Sequence, residues 1–243
     1  MKTIIKLLPI LIFVTILNSC KRDKDIVPEK VNLNMNVSYS IDALPLIFDS
    51  IMYTNAAGNV YEITRLEYYI SNIVLHLAND ENYVSKDIFY INAMDQNTNI
   101  LNLKNVPTGK YSYITFNIGI DSTRNISYYL TNTAENINMI WPTYMGGGYH
   151  FLKMEGHFNY ASSTTGYAVH LGKNSSLVSC SINNEFTIDQ APYQIEMVMN
   201  INEWYKSPYT YNLDTDGSFT MGDMVAMGKI AANGANVFSL KNN

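Results

Sequence analysis

The chain has 243 residues, 47% of them apolar, a formal net charge of −5 and an isoelectric point near 5.3. This balance argues against nucleic acid as a partner, because phosphate binding wants a basic surface. Charged residues make up only 15% while tyrosines number 19, a composition better suited to β-sheet than to long solvated helices.

The N-terminus reads as an export signal. Met1 to Lys6 carries two lysines and no acid, Leu7 to Leu17 is an apolar run of 11 residues, and Asn18-Ser19-Cys20 follows. A basic start, a short apolar core and small residues before a cut point make a secretory signal. The run falls well short of the about 20 residues a membrane-spanning helix needs. Leu17-Asn18-Ser19-Cys20 resembles the bacterial lipobox, in which the Cys is acylated and becomes the first mature residue. The expectation is a lipoprotein signal peptide over 1–19, a lipid on Cys20, a flexible charged tether over 20–30 and one β domain over 31–243. The lipid would hold the protein to a membrane of the bacterial cell envelope. The only other cysteine is Cys180, so a lipidated Cys20 leaves no intrachain disulfide and the fold must rest on its core.

In chain order, Val31 to Ile41 alternates apolar or aromatic residues with Asn and Ser, the period of a half-buried strand. Ala56 to Asn59 is a turn between Met52-Tyr53 and Val60-Tyr61. Leu66, Tyr68 and Ile70 alternate, then Ile73, Leu75 and Leu77 alternate on the other parity, so a bulge is predicted near Ser71-Asn72. Val106 to Gly109 turns into a strand from Tyr111 to Ile120 whose inward face is Ile114, Phe116, Ile118 and Ile120. Strands are predicted over His150–Tyr160, Tyr167–Leu171, Phe186–Ile188 and Tyr193–Ile201. Thr220 to Asp223 fits a capping box before a helix carrying Met224 and Met227, closed by Asn233-Gly234. The expected fold is all-β: a β-sandwich of mainly antiparallel strands with one or two short helices, one near the C-terminus.

Several segments, in order, resemble the MbnP-like copper-binding protein family, in particular its Bacteroidetes-type lipoprotein branch. They are Tyr53 to Leu75, Phe116 to Asp121, Trp141 to Gly156 with its Gly-Gly-Gly-Tyr-His-Phe core, His170-Leu171-Gly172, Met199 to Pro208, and Asn233 to Phe238. The resemblance implies an extracytoplasmic β-sheet protein that binds copper through histidines, in some relatives together with an oxidised Trp. It also implies a diheme peroxidase-like partner that installs that oxidation. His150 and His170 fall on the family's recurring His positions, and Trp141 on the Trp preceding the glycines. Where other branches carry a His in the first strand, this chain reads Val37-Ser38-Tyr39-Ser40.

The chain has four histidines: His76, His150, His157 and His170. His150 shares parity with Leu152 and Met154, which predicts an imidazole aimed into the apolar face, where it needs a hydrogen bond or a metal. His157 shares parity with Lys153 and Glu155 and is expected to face solvent. If His150 and His170 meet, Met139 or Met145 could complete a soft site; imidazole plus thioether favours copper, especially Cu(I), over magnesium or calcium. The structural alternative is a pair of hydrogen-bonded histidines beside a Gly-rich turn.

A second metal candidate is a calcium loop with Asn212, Asp214, Asp216 and Asp223 at places one, three, five and twelve, and Gly217 at six. Asp replaces the usual Glu at place twelve, and the competing reading is an Asp-Gly turn leading into a capped helix. Cys180 carries no flanking signature and reads as a buried inert thiol. With no G-x-S-x-G elbow and no H-E-x-x-H, a non-enzymatic role is expected. The function expected first is a lipid-anchored copper-binding protein for copper acquisition or storage. The alternative is a surface module for a glycan or protein partner with no metal.

Overall fold

The computed structural model describes residues 28–79, 81–189 and 191–241; Cys20 and the signal peptide expected over 1–19 lie outside the described residues. Among the described residues no helix is long and apolar enough to cross a membrane.

Among the described residues fifteen strands and two α-helices follow one another. β1 (Lys30–Ile41), β2 (Leu44–Pro45), β3 (Tyr53–Thr54), β4 (Val60–Tyr61) and β5 (Arg65–Leu77) come first. β6 (Asn82–Val84), β7 (Ile88–Asn92), β8 (Ile100–Pro107) and β9 (Gly109–Ile118) follow, then α1 (Ala134–Asn138). β10 (His150–Tyr160) and β11 (Ser163–Gly172) form a hairpin, followed by β12 (Val178–Ile182), β13 (Phe186–Ile188) and β14 (Tyr193–Asn200). α2 (Met224–Gly234) and β15 (Phe238–Leu240) end the fold. The smaller sheet runs β15-β14-β1-β2, with β8 also on β1. The larger runs β12-β9-β5-β10-β4-β3, with β11 on β10, β13 on β9, and β6 and β7 on β5. Pairing is antiparallel except for β1 beside β14, as a sandwich of mainly antiparallel strands requires.

The period-two pattern of β1 is realised: Val31, Leu33, Met35 and Val37 are buried, and Lys30 and Asn32 are exposed. Phe238 of the small sheet meets Phe116 of the large one at 5.3 Å between ring centroids, and the hydroxyls of Tyr39 and Tyr68 lie 3.0 Å apart across the sheets. Each aromatic or aliphatic side chain fully removed from water here stabilises the fold by roughly 1.5–3 kcal/mol.

β5 contains the predicted bulge. Its register against β9 shifts between Ser71 and Val74, and Asn72 takes a φ of 54°. Unlike an ordinary half-buried strand, β5 is buried on both faces from Leu66 to Ser71. Its outer face lies under the segment between β9 and β10, where Tyr69 donates to Asn136 Oδ1 at 2.7 Å and packs edge-on against Tyr149.

Strands β2, β6, β7, β8, β12 and β15 were not expected from the sequence. β12 alternates regularly, Ser exposed and Cys180 buried, over only five residues. Cys180 is the buried thiol expected; burial pushes it up to about 12, and its Sγ faces the carbonyl of Gly234.

The capping box was misplaced. Asp223, not Thr220, caps α2: its Oδ1 accepts from the backbone N–H of Val225 at 2.9 Å and of Ala226 at 3.0 Å. Thr220 is fully buried and is committed to β11, where its hydroxyl accepts from His170 N at 2.8 Å and donates to His170 O at 2.6 Å. Asp223→Ala is expected to cost about 1 kcal/mol in urea unfolding, with Asp223→Asn keeping most of it. An unchanged midpoint for Asp223→Ala would contradict the cap.

Candidate metal centre

The site is built on the β10–β11 hairpin. Leu152 pairs with Leu171, but His150 pairs with Gly172, so β10 carries one extra residue between them. A bulge of one residue turns the side chains beyond it to the opposite face. His150 therefore leaves the apolar face of Leu152 and Met154, where strand parity had placed it. It joins the face of Lys153, Glu155, Gly172 and His170, because paired residues share a face and Lys153 pairs with His170. The two imidazoles meet there at 5.1 Å between ring centroids, nearly perpendicular to each other.

The proton positions follow from the partners. Nδ1 of His150 lies 3.2 Å from the carbonyl oxygen of Met139. A carbonyl only accepts, so Nδ1 carries the proton and Nε2 presents a lone pair. Nε2 of His170 lies 2.8 Å from Glu155 Oε1. An ionised carboxylate also only accepts, so Nε2 of His170 carries a proton; its Nδ1 is buried and has no hydrogen-bond partner among the described residues. Burial pushes the His150 imidazole down to about 3, with the charge of Lys153 acting in the same direction, which keeps the ring neutral. Two facing imidazoles, each tied through one nitrogen to an oxygen acceptor, are the donor arrangement metal sites use.

Trp141 packs against His150. Its ring lies 4.7 Å from that of His150, and a Cβ on Gly172 would collide with the indole. Trp141 and His150 come together because Ile140 and Tyr149 bridge antiparallel and the chain between them turns through Gly146, Gly147 and Gly148. All three have φ between 70° and 112°, a region that favours glycine. The run is thus a tight approach to β10. Trp141 Nε1 is also buried without a partner among the described residues.

Around the histidines lies a charged cluster that the sequence reading missed. Arg65 pairs with Glu67 at 2.8 Å and with Glu155 at 3.3 Å. Lys153, only 6% exposed, donates to the Asn138 carbonyl at 2.5 Å. The His170 bond holds Glu155 below the usual carboxylate range. Lys153 and Glu155 alternate as solvent-facing residues would, and only the covering segment buries this face.

The remaining candidates fall elsewhere. Met145 is half-buried, its methyl 3.7 Å from where a Cβ on Gly222 would stand. His76 stacks on Tyr113, and half-exposed His157 pairs with Glu62 at 2.6 Å. Among the described residues no three of His, Cys, Asp and Glu gather as a metal-holding group. The calcium reading gains no support. Asp216 Oδ1 is taken by Lys229 at 2.6 Å and its Oδ2 by Asn212 N at 2.9 Å. Asn212 Oδ1 accepts from Asp214 N and Asn59 Nδ2, and Asp223 caps α2. These oxygens serve the alternative, a turn leading into a capped helix.

A β-sandwich with a buried two-imidazole face defines the structural class, and the sequence places the chain within it. The chain belongs to the MbnP family, whose model matches residues 28–222. Among solved structures the fold is similar to MbnP from Methylosinus trichosporium, with a TM-score of 0.53 and 11% identity over 76% of this chain and 81% of that one. No curated protein matches the sequence.

Gly172→Ala is expected to displace Trp141, red-shifting tryptophan emission and costing about 1–3 kcal/mol by overpacking. Emission and stability like those of the parent would show that the indole does not rest on Gly172.

Proposed function

We propose that this chain is a lipid-anchored, non-enzymatic copper-binding protein of the bacterial cell envelope, serving copper acquisition or storage. Nε2 of His150 and Nδ1 of His170 are the proposed ligands. The observation that carries this reading is the buried, unpartnered Nδ1 of His170 beside the neutral His150 ring. A buried polar atom left unsatisfied costs roughly 1–3 kcal/mol, and a metal ion is a partner that offsets the cost. Copper as the metal rests on the family resemblance and on the donors, since imidazoles suit copper better than hard cations such as magnesium or calcium. Trp141 lies in or near the shell. A diheme peroxidase-like partner acting on Trp141 belongs to the same reading. Copper here is cargo, and the residues hold it rather than turn it over.

A second reading, a surface module for a glycan or protein partner without metal, draws on one observation. A cleft of about 540 Å³ opens beside β1, lined by Tyr39, Leu46, Phe48, Met94 and Asn99 among others. Its volume is that of small-ligand sites.

Elemental analysis of the mature chain after copper loading and desalting separates the two. Bound copper is expected in the parent and in His157→Ala, and its loss in His150→Ala and in His170→Ala, with circular dichroism showing that each variant folds. Stoichiometric copper surviving both losses would reject the ligands. A folded parent that takes up no copper would leave the second reading.

A further inference from the structure

The charged residues beneath the histidines have no role in the copper reading as it stands, yet two of them, Glu155 and Lys153, connect to the hydrogen-bonded nitrogens of the two imidazoles. Glu155 does so directly, at 2.8 Å from His170 Nε2. Lys153 does so through the covering segment. Its ammonium binds the carbonyl of Asn138, and the next carbonyl, that of Met139, accepts from both the backbone N–H of His150 at 2.6 Å and its Nδ1. The same segment is tied a second time by Asn138 Nδ2 to Glu67 Oε2 at 3.5 Å. Arg65, bridging Glu67 and Glu155, joins both arms into one network.

We infer that Lys153 and Glu155 are the positioning residues of the site: Glu155 fixes the tautomer and angle of His170, and Lys153 fixes those of His150 by anchoring the Asn138–Met139 carbonyls. The inference rests on the copper reading for its purpose, but its physical content belongs to the metal-free protein. A buried ammonium is costly unless fully paired, so Lys153 is an expensive way to hold a loop that an apolar residue could cover. Its burial here is accounted for if the loop's carbonyl must stand at one place. Both residues lie two apart on β10, on the face that the bulge also gives to His150. One strand thus carries a ligand and both anchors. Outer hydrogen bonds of this kind commonly change metal affinity 10–100-fold.

Two measurements on the mature chain test this. In the metal-free protein, long-range proton–nitrogen correlation spectra of the imidazoles should show His170 protonated on Nε2 and His150 on Nδ1. Glu155→Ala should release the His170 preference, and Lys153→Met the His150 preference. Glu155→Gln, whose side-chain carbonyl still accepts, should retain it. Competition with a cuprous chelator should then show 10–100-fold weaker copper binding for Glu155→Ala and Lys153→Met, with Glu155→Gln closer to the parent. A parent with His170 protonated on Nδ1, or variants that leave both tautomers unchanged, would overturn the inference. So would tautomers released with no change in copper affinity. Because the spectra need no metal, a parent that binds no copper would sink the copper reading while the tautomers still decide this one. A purely structural role would lower the stability of all three variants without Glu155→Gln preserving the tautomer.

Discussion

One extra residue in β10 decides what this protein can do. Side chains along a strand alternate between faces, so His150 would sit with Leu152 and Met154 against the other sheet if the ladder were regular. The bulge between His150 and Leu152 turns it outward instead, to the face of His170. There a covering segment rather than a second sheet excludes water, and the cover is polar enough to supply a carbonyl for His150. Imidazole facing imidazole, Trp141 above and charges below all depend on that change of face.

The second constraint is that this face must be dry and still satisfy its charges. Lys153 and Glu67 are buried and Arg65 and Glu155 are half-buried. A partly satisfied buried ionic network is worse than an apolar core. Here the network closes: Arg65 bridges two carboxylates, Lys153 finds a carbonyl, and Glu155 finds an imidazole. The buried polar atoms left over at this face are Trp141 Nε1 and Nδ1 of His170, among the described residues. With the rest of this face paired, the orphan Nδ1 of His170 stands beside a neutral His150 ring.

Thr220 shows how local grammar misleads when tertiary contacts compete for the same residue. Its spacing to Asp223 fits a helix cap, and a cap does form there, but on Asp223. The Thr220 hydroxyl instead closes the backbone of His170 on β11. The would-be calcium loop shows the same competition, its oxygens drawn to Lys229 and to backbone N–H groups.

The alternation of β1, the turn at Ala56–Asn59, the bulge of β5, the principal strands and the C-terminal helix were legible in the sequence, because each depends on neighbours two to four residues apart. The short strands were not: β6 and β15 have three residues each, too few to show a period. His150 and His170 were legible as candidates through their family motif, but the face of His150 was not, since β10 begins at His150 and has no alternation beyond its bulge to reveal it, as β5 has. Lys153 and Glu155 were legible as charges and misread as solvated. Whether a face is wet depends on what folds over it, and that is a long-range packing outcome. Residue types and local periods thus set the sandwich, while register and cover between distant segments made the site.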